Sequence, residues 1–410
     1  MPGRWLIAAL LCAGWAVCTA SRASAYSVLS HEAIIDAAWD ASDTSIKALL
    51  LERFPDASAD ELRKAHAYAY GGAIIQDMGY YPFGSHLFSD LVHYVRSGDF
   101  IVNEIADAQD LNEYAFALGS LAHYAADNIG HPAATNLAVP MLYPKVRRKF
   151  GRTATYEDNP GDHLKAEFSF DVAEVAEHNF APQSYHDFIG FEISKPLLER
   201  AFLKTYGVAL KDVASTVDLS LASYRHSVAS VIPEMTKVAW EEKNKELMQA
   251  SPGLTKRKFV YALARSSYEK EWGSDYGKPG PWARFLAFLF RILPKVGPLK
   301  ALTFHAPTPA TQKLFMESFV RSLKLYQEQL ASIRAHAAFT LVNTNFDTGE
   351  PSKFGAYRMA DDACGKLLIK LKEHRFDGVD ADLRRNLLEY YGNAAPADAK
   401  AAEALALLRM

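Results

Sequence analysis

At 410 residues with a formal net charge of −3, the chain can bury a large core. That balance argues against a surface built mainly to bind polyanions, although a small basic site remains compatible with it. Cys12 and Cys18 lie in the first 25 residues, so the remainder holds only Cys364 and excludes a disulfide framework.

Residues 1–25 predict a secretory signal peptide. Arg4 supplies a short basic start, LIAALLCAGWAVC an apolar stretch, and Ala23-Ser24-Ala25 a small–x–small cleavage site. The apolar stretch is too short for a membrane span, and bulky Trp15 and Val17 argue against a lipoprotein anchor at Cys18. Cleavage would make Tyr26 the first residue of an exported protein, periplasmic or secreted. It would also remove Arg4 and Arg22 and leave the chain more acidic.

Beyond the leader the apolar spacing is helical. Residues 32–51 predict one helix behind Ser30 as N-cap, and 59–76 a second, interrupted at Gly71-Gly72. Further helices are expected at 86–96, 112–131, 161–178, 192–206, 208–247, 256–272, 310–340, 356–374 and 381–391. With no alternating strand run and no repeat, the fold class expected is all-α, a multi-helix bundle. Composition shifts at Ser251-Pro252-Gly253 and at 273–281, which suggests a domain over 26–250 and a helical C-terminal extension over 251–410. Residues 282–304, WARFLAFLFRILPKVGPLKALTF, read either as a core helix with a packed loop or as a membrane-surface contact.

Four segments carry chemistry. HYAADNIGHP places His123, Asp127 and His131 four apart on one helical stripe, closed by Pro132. GDHLKAEF repeats the spacing with His163 and Glu167. QDMGYYPF sets Asp77 among apolar residues, where a lone carboxylate is costly unless paired or bound to a cation. LVHYV adds His93 sixteen residues later, and His31 lies five residues after Tyr26. A solvated polar stripe and a metal site are both open from the first run alone.

The order and spacing of these motifs resemble the zinc-dependent phospholipase C superfamily, which includes bacterial phospholipases C and secreted single-strand-specific nucleases. The zinc-binding domain of glycosylphosphatidylinositol-specific phospholipase D is also similar. The resemblance covers roughly 26–180 and implies three Zn2+ ions. Asp77, His93, His123 and Asp127 would hold the first. His131, His163 and Glu167 would hold the second, with positions left open for water. Tyr26, through its amine and carbonyl, would hold the third with His31 and a bridging Asp127. The family usually begins with Trp where this chain has Tyr26. Its phospholipases and nucleases space the middle Asp and the next His six apart, not four. His93 is preferred over His86 because its distance from Asp77 lies nearer the family's. His66 reads as a satisfied buried histidine.

The resemblance implies a secreted zinc-dependent phosphodiesterase acting on phospholipids, with no stable nucleic-acid complex. A zinc-dependent nuclease and a non-catalytic metal-stabilised helical protein are the alternatives. Asp77 would complete the coordination or take the proton of the attacking water. Tyr80, Tyr81 and Phe83 would line the mouth of the site for substrate.

Overall fold

A computed structural model describes residues 27–177, 191–214, 217–227, 304–335 and 338–410. Among them the secondary structure is helical, with one isolated bridge between Thr344 and Pro351 and no sheet. The expected all-α class holds. The helices that frame the site are α1 (Val28–Trp39), α2 (Ile46–Arg53), α3 (Ala59–Ile74), α4 (His86–Tyr94), α5 (Ser97–Asp107) and α6 (Leu111–Gly130). They are followed by α7 (Asn136–Leu142), α8 (Pro144–Phe150), α9 (Pro160–Glu177), α10 (Lys195–Tyr206), α11 (Leu210–Val213) and α12 (Val217–His226). The C-terminal part carries α13 (Pro309–Arg334), α14 (Arg358–Glu373), α15 (Ala381–Tyr391) and α16 (Ala399–Arg409).

Helix α6 is the axis of the bundle. Asp110 caps it by accepting from the amides of Asn112 and Glu113, and every residue from Glu113 to Asn128 is buried. A helix covered on all sides has no solvated face. Its most extensive partner is α3, which Ser58 and Glu61 start with a reciprocal capping box. Glycines let these backbones touch: a Cβ at Gly72 would lie 1.9 Å from the carbonyl oxygen of Phe116, and one at Gly119 2.0 Å from that of Ala69. Gly71-Gly72 therefore does not interrupt α3; Gly72 lets α3 lie against α6, and Gly71 lies against the backbone of Glu192.

Several boundaries differ from the sequence expectation for local reasons. The helix expected over 32–51 is two, parted at 40–45, and Ser45 caps the second by accepting from the amide of Ala48. Ser30 is not the cap of α1. Ser27 holds that position, and the orphan amides of Leu29 and Ser30 are satisfied by the Asp171 carboxylate on α9 at 3.0 and 3.1 Å. Nor does Pro132 end its helix. It lacks an amide hydrogen, and the chain widens into a π turn over His131–Thr135 before resuming as α7. Helices α5, α7, α8 and α16 were not anticipated.

Residues 304–410 share one hydrophobic core with the N-terminal helices, from Val28 to Leu408. The Tyr326 hydroxyl on α13 donates to the Leu118 carbonyl at 2.9 Å, and α14 packs on α4. The expected division at 250/251, the signal peptide and residues 282–303 lie outside the described residues. No helix of the described residues is long and apolar enough to cross a membrane.

One core group makes stability depend on pH. Glu104 on α5 is fully buried, and burial pushes its carboxyl up to about 8. The native state thus keeps a proton that the unfolded chain releases above pH 4.5. This contribution is complete below pH 4.5 and is lost as pH rises through 8. Glu104→Gln should therefore gain on the parent by about 1.4 kcal/mol per pH unit between about pH 5 and 8. Denaturant titrations across that range check it, and parallel curves for the two proteins would refute it.

Candidate metal centre

Four helices, a 3-10 turn and a π turn converge on one buried polar cluster. Helix α1 brings His31, the turn Ile75–Tyr80 brings Asp77, and α4 brings His93. Helix α6 carries His123 and Asp127, the π turn His131, and α9 both His163 and Glu167. Each of these side chains is at most 5 % exposed. The solvated-stripe reading of His123, Asp127 and His131 is thereby excluded.

Main-chain carbonyls set the orientation of two imidazoles. The Nδ1 of His123 meets the Ala73 carbonyl at 2.8 Å, across the glycine contact of α3 and α6. The Nδ1 of His93 meets the Ser89 carbonyl one turn back at 2.8 Å. With Nδ1 so engaged, each ring turns Nε2 to the cluster. The two Nε2 atoms lie 3.3 Å apart, Asp77 Oδ1 is 3.4 Å from that of His93, and Asp127 Oδ2 is 3.1 Å from that of His123 and 3.6 Å from that of His93. A tetrahedron with metal–ligand bonds of about 2.0–2.1 Å has edges of about 3.3–3.4 Å. His93, His123 and Asp127 are spaced as three corners of such a cage, and Asp77 stands an edge length from His93.

Asp127 faces two ways. Its Oδ2 belongs to the cage just described and lies 3.8 Å from His131 Nε2, while Oδ1 lies 3.5 Å from His31 Nε2. Among the described residues neither oxygen accepts a well-formed hydrogen bond, and the same is true of Asp77 Oδ1 and Asp347 Oδ1. Carboxylate oxygens buried without donors are costly unless a cation sits among them.

The electrostatics agree. Burial, with His123 nearby, pushes His31 down to about 3; burial likewise pushes His163 down to about 3. Burial works against a charge on His123 too, but Asp127 outweighs it and lifts that imidazole to about 9. Burial also opposes ionisation of Asp127, yet His123 foremost, then His131 and His31, hold it well below the carboxylate range. Glu167 goes the other way, raised well above its ordinary value by burial and by Asp127 and Asp77.

Three trios have ligand atoms close enough to share an ion: His31 with Asp77 and His123, His93 with His123 and Asp127, and His131 with His163 and Asp347. The first two share His123, whose Nδ1 is already engaged, so they describe overlapping parts of one region.

Asp347 had no counterpart in the sequence reading. It sits in the irregular segment between α13 and α14, 1 % exposed, with Oδ1 3.0 Å from His131 Nδ1 and 4.0 Å from His163 Nε2. Its Oδ2 accepts from the Tyr156 amide at 2.9 Å and the Tyr357 hydroxyl at 2.6 Å. Spacing could not reveal it, because no second ligand lies one helical turn away. Glu167, expected as a ligand of the second ion, instead places Oε1 2.8 Å from His163 Nδ1, on the far side of that ring from Asp347. Asn136, also missed, donates through Nδ2 to the Asp347 carbonyl and turns Oδ1 to His163 Nε2 at 2.8 Å.

Residues 30–216 match the family described as zinc dependent phospholipase C. That segment is similar to the zinc-dependent phospholipase C superfamily. Comparisons with curated proteins and with solved structures return no match. Every side-chain ligand that the superfamily implies lies inside the matched segment, whereas Asp347 lies outside it. Zinc is therefore the metal against which the donor set is judged, and its mixture of imidazole nitrogen and carboxylate oxygen suits zinc.

The remaining expected residues fall as follows. Tyr26 lies outside the described residues. His86 is half-buried with its ring 6.1 Å from that of Tyr80, while His93 holds the cluster position. His66 stacks on Trp39 at 3.9 Å and meets Asp36 at 3.1 Å, in a separate network. Of the three residues expected at the mouth, Tyr80 is buried with its ring 5.7 Å from His93, and Tyr81 packs edge-on against Tyr224. Phe83 alone is exposed, at 42 %, in a left-handed conformation.

Proposed function

We propose that the protein is an exported zinc-dependent phosphodiesterase that hydrolyses phospholipids in the manner of a phospholipase C. The observation that carries this reading is the buried cluster of Asp77, His93, His123 and Asp127, whose carboxylates keep oxygens outside any well-formed hydrogen bond, inside a segment that matches the zinc dependent phospholipase C family. In the proposal three ions bind. Asp127 bridges the first cage to a third site formed with His31 and with Tyr26 as the processed N-terminus. Bound zinc supplies Lewis acidity and positive charge to a phosphodiester.

The chain's own groups do the rest. Asp77 accepts the proton of the attacking water, and burial of the cluster keeps bulk solvent from competing. The Ala73 and Ser89 carbonyls hold His123 and His93 in one tautomer throughout. Phe83, six residues after Asp77, is the exposed aromatic proposed to meet an acyl chain or headgroup, and 282–304 is the segment proposed to meet the lipid surface. The acidic net charge suits a phospholipid better than a polyanion.

The test uses zinc-loaded protein that starts at Tyr26, with phosphatidylcholine micelles as substrate. Phosphate-ester release should appear and should be lost on chelation. Absence of chelator-sensitive turnover on any phospholipid would sink the reading, and cleavage of single-stranded DNA at low salt in its place would make the protein a nuclease.

A further inference from the structure

We infer that Asp347 is a metal ligand, and that the segment around it makes the C-terminal part of the chain a component of the zinc centre. This rests on the reading of the cluster as a zinc centre, and it reaches beyond the matched segment, which ends at 216. The Asp347 carboxylate is divided in its duties. Oδ2 is saturated by the Tyr156 amide and the Tyr357 hydroxyl, which leaves Oδ1 turned toward His131 and His163, 3.0 Å from His131 Nδ1 but in no well-formed hydrogen bond. A buried carboxylate clamped through one oxygen and presented through the other is the arrangement of an oriented ligand. A carboxylate merely completing a hydrogen-bond network would have both oxygens occupied.

The backbone around Asp347 is held to α4, which carries His93, and to the neighbouring α5 and α7. The Phe346 amide donates to the His93 carbonyl at 3.1 Å, Asn136 donates to the Asp347 carbonyl at 2.7 Å, and Ser97 donates to the Thr344 carbonyl at 2.6 Å. The Phe346 ring lies 5.3 Å from that of His93 and 6.0 Å from that of His123. Asp347 is thus placed as firmly as the helical ligands, although it stands on no helix. Glu167 then becomes a positioning residue. With its Oε1 on His163 Nδ1, it orients that ring toward the side where Asp347 lies.

Zinc content, not turnover, is the readout. The chain starting at Tyr26 is loaded with zinc, dialysed against a weak chelator, and assayed for zinc per chain and for protease cleavage within 338–357. Asp347→Asn is expected to lose one equivalent relative to the parent, to keep the rest, and to be cut there at least tenfold faster. Glu167→Gln should keep the full count and release one equivalent about ten- to a hundredfold faster. An unchanged zinc count and cleavage rate in Asp347→Asn would overturn the inference while leaving the phospholipase reading intact. A parent chain that binds no zinc would overturn both. If Asp347→Asn does not fold, Tyr357→Phe decides. Loss of the hydroxyl that clamps Oδ2 should speed extraction of one equivalent at least tenfold, and the parent rate would refute the assignment.

Discussion

Asp127→Asn should empty the first cage and lower phosphodiester turnover by about 10³-fold or more. The two carboxylate oxygens of Asp127 face different imidazole groups, Oδ1 toward His31 and Oδ2 toward His123, His93 and His131. An amide offers one oxygen and no charge, so it cannot serve both sides. It also removes the anion that lifts His123 to about 9. Lewis-acid stabilisation of a phosphoryl transition state amounts to several kcal/mol, and each 1.4 kcal/mol is about tenfold in rate. Zinc per chain and hydrolysis of a chromogenic phosphocholine ester check the prediction together. A variant with full zinc and turnover within tenfold of the parent would show that Asp127 is not the bridge.

Chelation should lower the unfolding temperature of the protein by about 10 °C or more. Removing the ions leaves Asp77, Asp127 and Asp347 buried with oxygens that no hydrogen bond satisfies. A site saturated about a thousandfold above its Kd contributes about 4 kcal/mol, so two such sites contribute about 8 kcal/mol. At roughly 1–2 °C per kcal/mol for a chain of this size, the shift is large enough to read by calorimetry. A chelated protein that melts within about 2 °C of the zinc-loaded one would mean that the cluster is self-sufficient. It would also remove the physical ground for a metal centre.

These expectations rest on residues that were unequally legible before folding. His123 with Asp127, and His163 with Glu167, could be read in pairs because i and i+4 share a helix face whatever the helix packs against. Asp77 could be read because a carboxylate among apolar residues has few inexpensive explanations. The choice of His93 over His86 could be argued from spacing and became a matter of geometry once Ser89 was seen to hold the ring. Pro132 misled, because a missing amide hydrogen permits either a helix end or a π turn, and packing around Asn128 and Gly349 belongs to the second. Ser30 misled in a similar way: a distant carboxylate, Asp171, serves the amides that a local cap would have served.

What the sequence by itself determined is the all-helical class, the donor types and the local pairs of donors, since each depends on interactions within a few turns of one helix. Tertiary structure alone decided that α6 is buried on every side, which turns a polar stripe into a candidate metal site. It also placed Glu167 behind His163 and Asp347 before it. Those placements depend on contacts between residues far apart in the chain, and no periodicity along the chain encodes a distance across the fold.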